Sequence, residues 1–204
     1  MTMTETKHTN NKANPHPPQH PPLRLSKEDI QNKYDGFASK YNLKEWKINH
    51  IFGVKRLRRQ LFGQAQGKVL DVAAGIGGNF PYLPRESEIT AIDLSPGMLD
   101  KARARAKELG LKVTFQVMDA EALDFPDDTF DTVISSLSTC TFPDPIAALR
   151  EMARVVKPDG QILLLEHGRS SWNLLRWYQD RTAHSHYAAA GCECVQHSGY
   201  DGFF

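Results

Sequence analysis

Val69-Leu70-Asp71-Val72-Ala73-Ala74-Gly75-Ile76-Gly77-Gly78-Asn79-Phe80 runs from a short apolar segment into a glycine-rich turn. The first four residues have the length and branched content of a strand covered on both faces. Glycines directly after such a strand let the backbone turn sharply and approach a bound molecule closely. Ligands of open α/β sheets sit beyond the carboxyl ends of the strands, so this stretch predicts a ligand-binding loop. Glycines also occur in plain strand-to-helix turns, and Gly75-x-Gly77 alone does not separate the two readings.

The next apolar run, Ile89-Thr90-Ala91-Ile92-Asp93, ends in an acid 22 positions after Asp71. That is close to the spacing of about 20 residues expected of a carboxylate that binds ribose, so Asp93 is expected to accept the two ribose hydroxyls. A helix-capping acid before Ser95-Pro96 is the competing reading. Apolar runs at 68–72, 88–92, 112–117, 132–136 and 161–166 alternate with helical stretches. Residues 97–109 are rich in helix formers and stop at Gly110, and residues 146–156 place Ile146, Leu149, Val155 and Val156 among charges before Pro158 and Gly160. Strand and helix in alternation predict an α/β fold with a doubly wound, mostly parallel, Rossmann-like sheet and helices on both faces. A dinucleotide fingerprint wants a third glycine where Phe80 stands and does not usually carry an acid at Asp71, which weakens a nicotinamide-dependent oxidoreductase.

Upstream, the first two dozen residues hold five prolines and three histidines and little that could enter a core, so residues 1–25 read as a disordered tail. Ser26 before Lys27-Glu28-Asp29 reads as a helix N-cap with acids in the first turn. From Leu43 to Phe62 apolar residues recur at helical spacing among lysines and arginines, which predicts a basic amphipathic helix. Between Lys40 and Arg59 stand seven basic residues against the single acid Glu45, with Trp46 and Phe52 as interfacial anchors, so peripheral contact with an anionic membrane surface is one expectation and a solvated helix face the other. Across all 204 residues the formal net charge is only +1, which disfavours a nucleic-acid binder held by bulk positive charge. Three cysteines are too few for a disulfide scaffold, and no apolar run suggests a spanning helix or a secretory leader, so a cytoplasmic protein is expected.

The loop, Ala91-Ile92-Asp93-Leu94-Ser95-Pro96-Gly97-Met98-Leu99, Met118-Asp119-Ala120-Glu121 with its downstream Asp127-Asp128-Thr129-Phe130-Asp131, and Leu149 through Gln161 stand in this order. Together they resemble the motifs of the class I S-adenosylmethionine-dependent methyltransferases, nearest the ubiquinone/menaquinone C-methyltransferase and phospholipid N-methyltransferase branch. The resemblance implies S-adenosyl-L-methionine as cofactor, with Asp71, Ala73, Gly75 and Gly77 around its methionine part, Asp93 at the ribose, Leu94 and Met98 at the adenosine faces, Asp119 and Ala120 at the adenine, and Ser136 near the methionyl end. Ala73 replaces a glycine common at the first motif position and narrows the backbone approach. Tyr34-Asp35-Gly36-Phe37-Ala38-Ser39-Lys40-Tyr41 resembles the N-terminal lid of that branch, which implies that Tyr34 and Tyr41 close over the methionine moiety. Their spacing of seven fits core aromatics on one helix face equally well.

Methyl transfer asks an enzyme to align the acceptor with the sulfonium, exclude water and, for a protonated acceptor, supply a base. His167, in Glu166-His167-Gly168 after the fifth strand, is the candidate base; capping of the strand or the next helix is its alternative role. Glu166-His167 with Trp172-Asn173 resembles methyltransferases of lipid-like or thiol acceptors. His184-x-His186, Cys192-x-Cys194 and His197 are spaced more tightly than structural zinc ligands usually are, so no metal is expected. The expected divisions are a tail at 1–25, a helical lid at 26–66, a cofactor-binding core at 67–168, and at 169–204 a helix from about Trp172 to Ala190 with an irregular end too short for two more strands. The functional expectation is a methyltransferase of a small-molecule or lipid-like acceptor, a quinol, phospholipid amine or thiol. A shortened, non-catalytic S-adenosylmethionine-binding protein is the alternative, and the oligomeric state is left open.

Overall fold

The computed structural model describes residues 25–38 and 53–167 together with Trp172, Asn173, Trp177 and Arg181. The predicted tail, Tyr41, and nearly all of the stretch after Gly168, with its histidines and cysteines, lie outside the described residues.

Five strands, β1 (Lys68–Val72), β2 (Glu88–Asp93), β3 (Val113–Val117), β4 (Phe130–Ser136) and β5 (Val156–Leu165), form one sheet in the order β3-β2-β1-β4-β5. Every neighbouring pair is parallel, with Asp71 opposite Ala91 on one side and Ile134 on the other. The helices are α1 (Lys27–Phe37), α2 (Val54–Phe62), α3 (Pro96–Leu109) and α4 (Pro145–Val155). Successive strand residues point to opposite faces, and the apolar core divides accordingly. Val69, Ala91 and Ile134 pack with Phe62 of α2, Phe80, and Ala102 and Ala106 of α3. Leu70, Val72, Ile92 and Val133 pack with Ala148, Met152 and Val155 of α4. The chain leaves β1 toward β2 and returns to β4 on the other side, so the carboxyl ends of β1 and β4 part around a crevice.

Local chemistry sets the element ends. Ser26 caps α1 through the Asp29 N–H at 3.1 Å, and the Asp29 carboxylate accepts the Ser26 N–H at 3.2 Å, a reciprocal capping box. α3 ends at left-handed Gly110, as the sequence predicts, and its N-cap is Ser95, whose hydroxyl accepts the Met98 N–H. Two expectations are corrected. The basic helix does not run unbroken from Leu43, because Gly53 stands at φ 69, outside helical backbone, and α2 starts at Val54. The fifth strand begins at Val156, directly on the end of α4, with its turn-forming Pro158-Asp159-Gly160 carried inside an irregular register against β4. Arg154 of α4 closes the stretch between β3 and β4, donating to the carbonyls of Leu123 and Phe125, both at 2.8 Å, while pairing with Asp127 and Glu151, both at 2.7 Å.

Candidate active site

A cleft partly open to solvent lies at the carboxyl ends of β1, β2 and β4 and beneath α1. Its floor is the loop after β1. Ala73 at φ 53 and Gly75 at φ 55 both adopt left-handed backbone, and a Cβ on Gly75 would meet nothing within 4 Å, so that glycine borders open space. Gly77, at φ 76, is held for a different reason: a side chain there would run into the ring of Phe80, which is buried in the core. Gly77 therefore packs the turn and lies outside the cavity wall.

Asp93, at the end of β2, accepts the Gly75 N–H at 2.8 Å and the Ser95 N–H at 2.9 Å. Burial pushes its carboxyl up to about 6, against the pull of those two backbone donors and with Asp35 nearby adding to the rise. Leu94, Met98, Asp119, Ala120 and Ser136 also line the cavity, as does Tyr34, which packs beside Ile76 and Met98 as well. Asp71 does not line it. It is fully buried beneath the loop, where desolvation pushes its carboxyl up to about 7 despite an Asn79 hydrogen bond and the nearby Arg58 charge. His167 likewise stands outside the cavity wall, with Nε2 3.7 Å from Cys140 Sγ, and burial lowers its pKa. Its neighbour Glu166 accepts the N–H groups of Ser138 and Thr139 at 3.2 and 3.3 Å, which fixes the loop after β4. Leu137, Ser138, Thr141 and Phe142 of that loop complete the wall.

Beyond the loop after β4, two charged contributors escaped the sequence reading. Lys27 reaches from the first turn of α1 to Asp119 at 2.5 Å and Glu121 at 2.8 Å, and those hydrogen bonds, Asp119 first, raise its pKa. Lys27, Ile30, Gln31 and Tyr34 are the cavity-lining stripe of α1, at the helical spacing of three, four and seven. At the other end of the helix Asp35 accepts from the Ser95 hydroxyl and, at 2.9 Å, from the Gly97 N–H. Arg58 is the second. It is 5% exposed, lines the cavity, and donates to the Gly78 carbonyl at 3.5 Å and the Ser136 hydroxyl at 3.4 Å. Its position one turn before buried Phe62, on the apolar stripe of α2, was the available signal.

A parallel sheet with a switch point, a glycine-bearing loop after β1, an acid ending β2 and a second acid after β3 define a nucleotide-binding α/β domain of the class I methyltransferase type, whose cofactor is S-adenosylmethionine. Residues 70–164 match the family described as Methyltransferase domain. It is 39% identical over 103 residues to a phosphatidylethanolamine N-methyltransferase of Cereibacter sphaeroides, covering 50% of this chain and 51% of that one. It is 34% identical over 149 residues to a ubiquinone/menaquinone biosynthesis C-methyltransferase of Bdellovibrio bacteriovorus, covering 70% and 63%. The chain thus spans between half and two thirds of the length of these relatives. Among solved structures the YcgJ protein of Bacillus subtilis aligns at a TM-score of 0.58 and 30% identity, over 74% of this chain and 65% of that one.

Proposed function

We propose that the chain transfers the methyl group of S-adenosylmethionine to a small or lipid-like acceptor, a quinol, a phospholipid amine or a thiol. The observation that carries this reading is one continuous cavity with hydrogen-bond acceptors for a nucleoside at its β2 and β3 end and apolar and hydroxyl groups at its β4 end. Asp93 would accept the ribose hydroxyls, Asp119 the adenine amino group, with Ala120 beside it, and Leu94 and Met98 would cover the adenosine faces. Ala73 and Gly75 would border the methionine part, and Tyr34 would cover it from α1. The cofactor supplies an electrophilic methyl on a sulfonium; the chain's share is to hold the acceptor in line near Leu137, Ser138, Thr141 and Phe142 and to keep water out. Calorimetric titration with S-adenosylhomocysteine, followed by transfer assays on demethylated quinol, phosphatidylethanolamine and thiol acceptors, tests both halves. Absence of binding sinks the whole reading. Binding with no transfer to any acceptor leaves a cofactor-binding protein without turnover.

The acceptor reading includes a membrane surface. Lys55, Arg56 and Arg59 stand exposed on the outer face of α2 with Leu57, 49% exposed, between them, while Arg58 faces inward. Such a face suits anionic lipid. Co-sedimentation with vesicles should depend on anionic lipid and weaken with salt; equal recovery with neutral vesicles ends the idea. Among the described residues no helix is long and apolar enough to cross a membrane.

A further inference from the structure

The loop after β4 leaves the sheet at Ser136 and is tied, residue by residue, to the end of β5. Leu137, in left-handed backbone, donates its N–H to the Leu165 carbonyl at 2.8 Å. Ser138 and Thr139 both donate theirs to a single oxygen, Glu166 Oε1, and Cys140 lies beside His167. The pairing of β4 with β5 ends where Ser136 faces Leu165. Beyond that point the Glu166 side chain takes the place of the backbone carbonyls that a continuing strand would have offered. The rest of the loop is fixed to the same two residues. Thr141 donates its N–H and its hydroxyl to the Ser138 carbonyl, at 2.8 and 2.7 Å, and the Phe142 N–H meets the Thr139 carbonyl at 3.3 Å. The far end is held at Asp144, whose N–H Glu121 accepts at 2.7 Å. Leu137, Ser138, Thr141, Phe142 and Pro143 line the cavity, and Glu166 stands behind them, outside its wall.

We infer that Glu166 is a positioning residue for the methyl acceptor: through the N–H groups of Ser138 and Thr139 it sets where the acceptor wall stands relative to the cofactor loop after β1. The inference rests on the acceptor reading above. What the hold requires is an oxygen at the reach of a glutamyl side chain, rather than a charge. Burial pushes the Glu166 carboxyl up while the N–H groups of the loop pull it down, and a carboxyl oxygen accepts an N–H in either protonation state. Glutamine at this position therefore keeps the hold, aspartate ends one methylene short of the loop, and alanine offers nothing.

Two measurements on the full chain test this. Hydrogen exchange of the peptide 137–143 should be about tenfold faster or more in Glu166→Ala than in wild type, and close to wild type in Glu166→Gln. Transfer from S-adenosylmethionine to demethylated quinol, phosphatidylethanolamine and a thiol identifies an acceptor that wild type methylates. Its KM should rise about tenfold in Glu166→Ala, the worth of two ordinary hydrogen bonds, with kcat changed by less than about threefold. Affinity for S-adenosylhomocysteine should stay within about twofold, and Glu166→Gln should restore the acceptor KM. Should Glu166→Ala fail to fold, Glu166→Asp carries the test with the same expectations. Unchanged exchange, an unchanged acceptor KM, no rescue by glutamine, or a loss of S-adenosylhomocysteine affinity as large as the rise in KM overturns the inference and leaves the acceptor reading standing. Wild type that methylates none of the three acceptors overturns both.

Discussion

Asp93 does two tasks at once, and its substitution has to be read in that light. Replacement by alanine removes the proposed ribose acceptor and also frees the N–H groups of Gly75 and Ser95, which its carboxylate now holds. Charge-assisted hydrogen bonds of this kind contribute roughly 1.5 to 3 kcal/mol each, so Asp93→Ala should weaken S-adenosylhomocysteine binding by about 2 to 4 kcal/mol in calorimetry. Asp93→Asn should lose less, since the amide oxygen still accepts. Asp100→Ala is the control: its side chain is 77% exposed in a 3.5 Å pair with Arg103, and affinity should stay within about threefold. The two buried acids also set a pH dependence. Asp71 is pushed up to about 7 and Asp93 to about 6 from an ordinary value of 3.8, so between these values the folded chain holds protons that the unfolded chain has released. Their effect on stability is therefore absent below about pH 4 and grows as a loss while pH rises toward 7. Asp71→Asn keeps an acceptor for Asn79 and removes the larger part, on the order of 4 kcal/mol at 1.36 kcal/mol per unit. Urea unfolding at pH 4 and pH 8 should show wild type losing stability between them by more than the variant does; parallel losses would refute it. Asp93 was legible because strand register fixes its spacing from Asp71. Arg58 was not, because a charge count places every arginine of a basic helix in solvent, and Lys27 was not, because its carboxylate partner lies 92 residues away.

At the scale of elements, α1 is the piece whose sequence says least about its place. Its cap is readable from Ser26 and Asp29, but what it covers depends on Lys27 meeting Asp119 and Asp35 meeting the start of α3, contacts that no local pattern encodes. The Lys27 side chain is 46% exposed, so its ion pairs are screened and worth no more than about 1 kcal/mol. Lys27→Met should accordingly raise the dissociation rate of S-adenosylhomocysteine by up to about fivefold in stopped flow, and should abolish the acceleration that added salt produces in wild type. Identical rates and identical salt dependence would show that α1 does not hold the ligand in. Arg154 has a larger effect to offer on stability. Arg154→Met would leave the carbonyls of Leu123 and Phe125 without this donor and the Glu151 carboxylate with only the Leu123 N–H, and should lower the midpoint of urea unfolding. The strands and α3 were readable because apolar runs and cap residues are local signals. The start of β5 was not, because Pro158 and Gly160 read as a break where the sheet absorbs them as an irregularity.

For the whole molecule, alternation of strand and helix was enough to predict a parallel sheet, since right-handed crossovers leave few other ways to bury both faces. Which strands flank β1 follows from long-range packing, and the cavity follows from that order. The rim of that cavity carries a feature with a wider consequence. Ala73 and Leu137, on either side of the gap between β1 and β4, hold left-handed backbone at φ 53 and 55 without being glycine. Each such residue costs roughly 1 to 2 kcal/mol relative to ordinary backbone. That strain belongs to the folded backbone itself, so the shape of the rim is set during folding and the arriving molecule need not organise it. Substituting glycine at either position would relax the strain and return that ordering to the binding step. A rim built this way favours fast capture of a ligand that already fits over slow accommodation of one that does not.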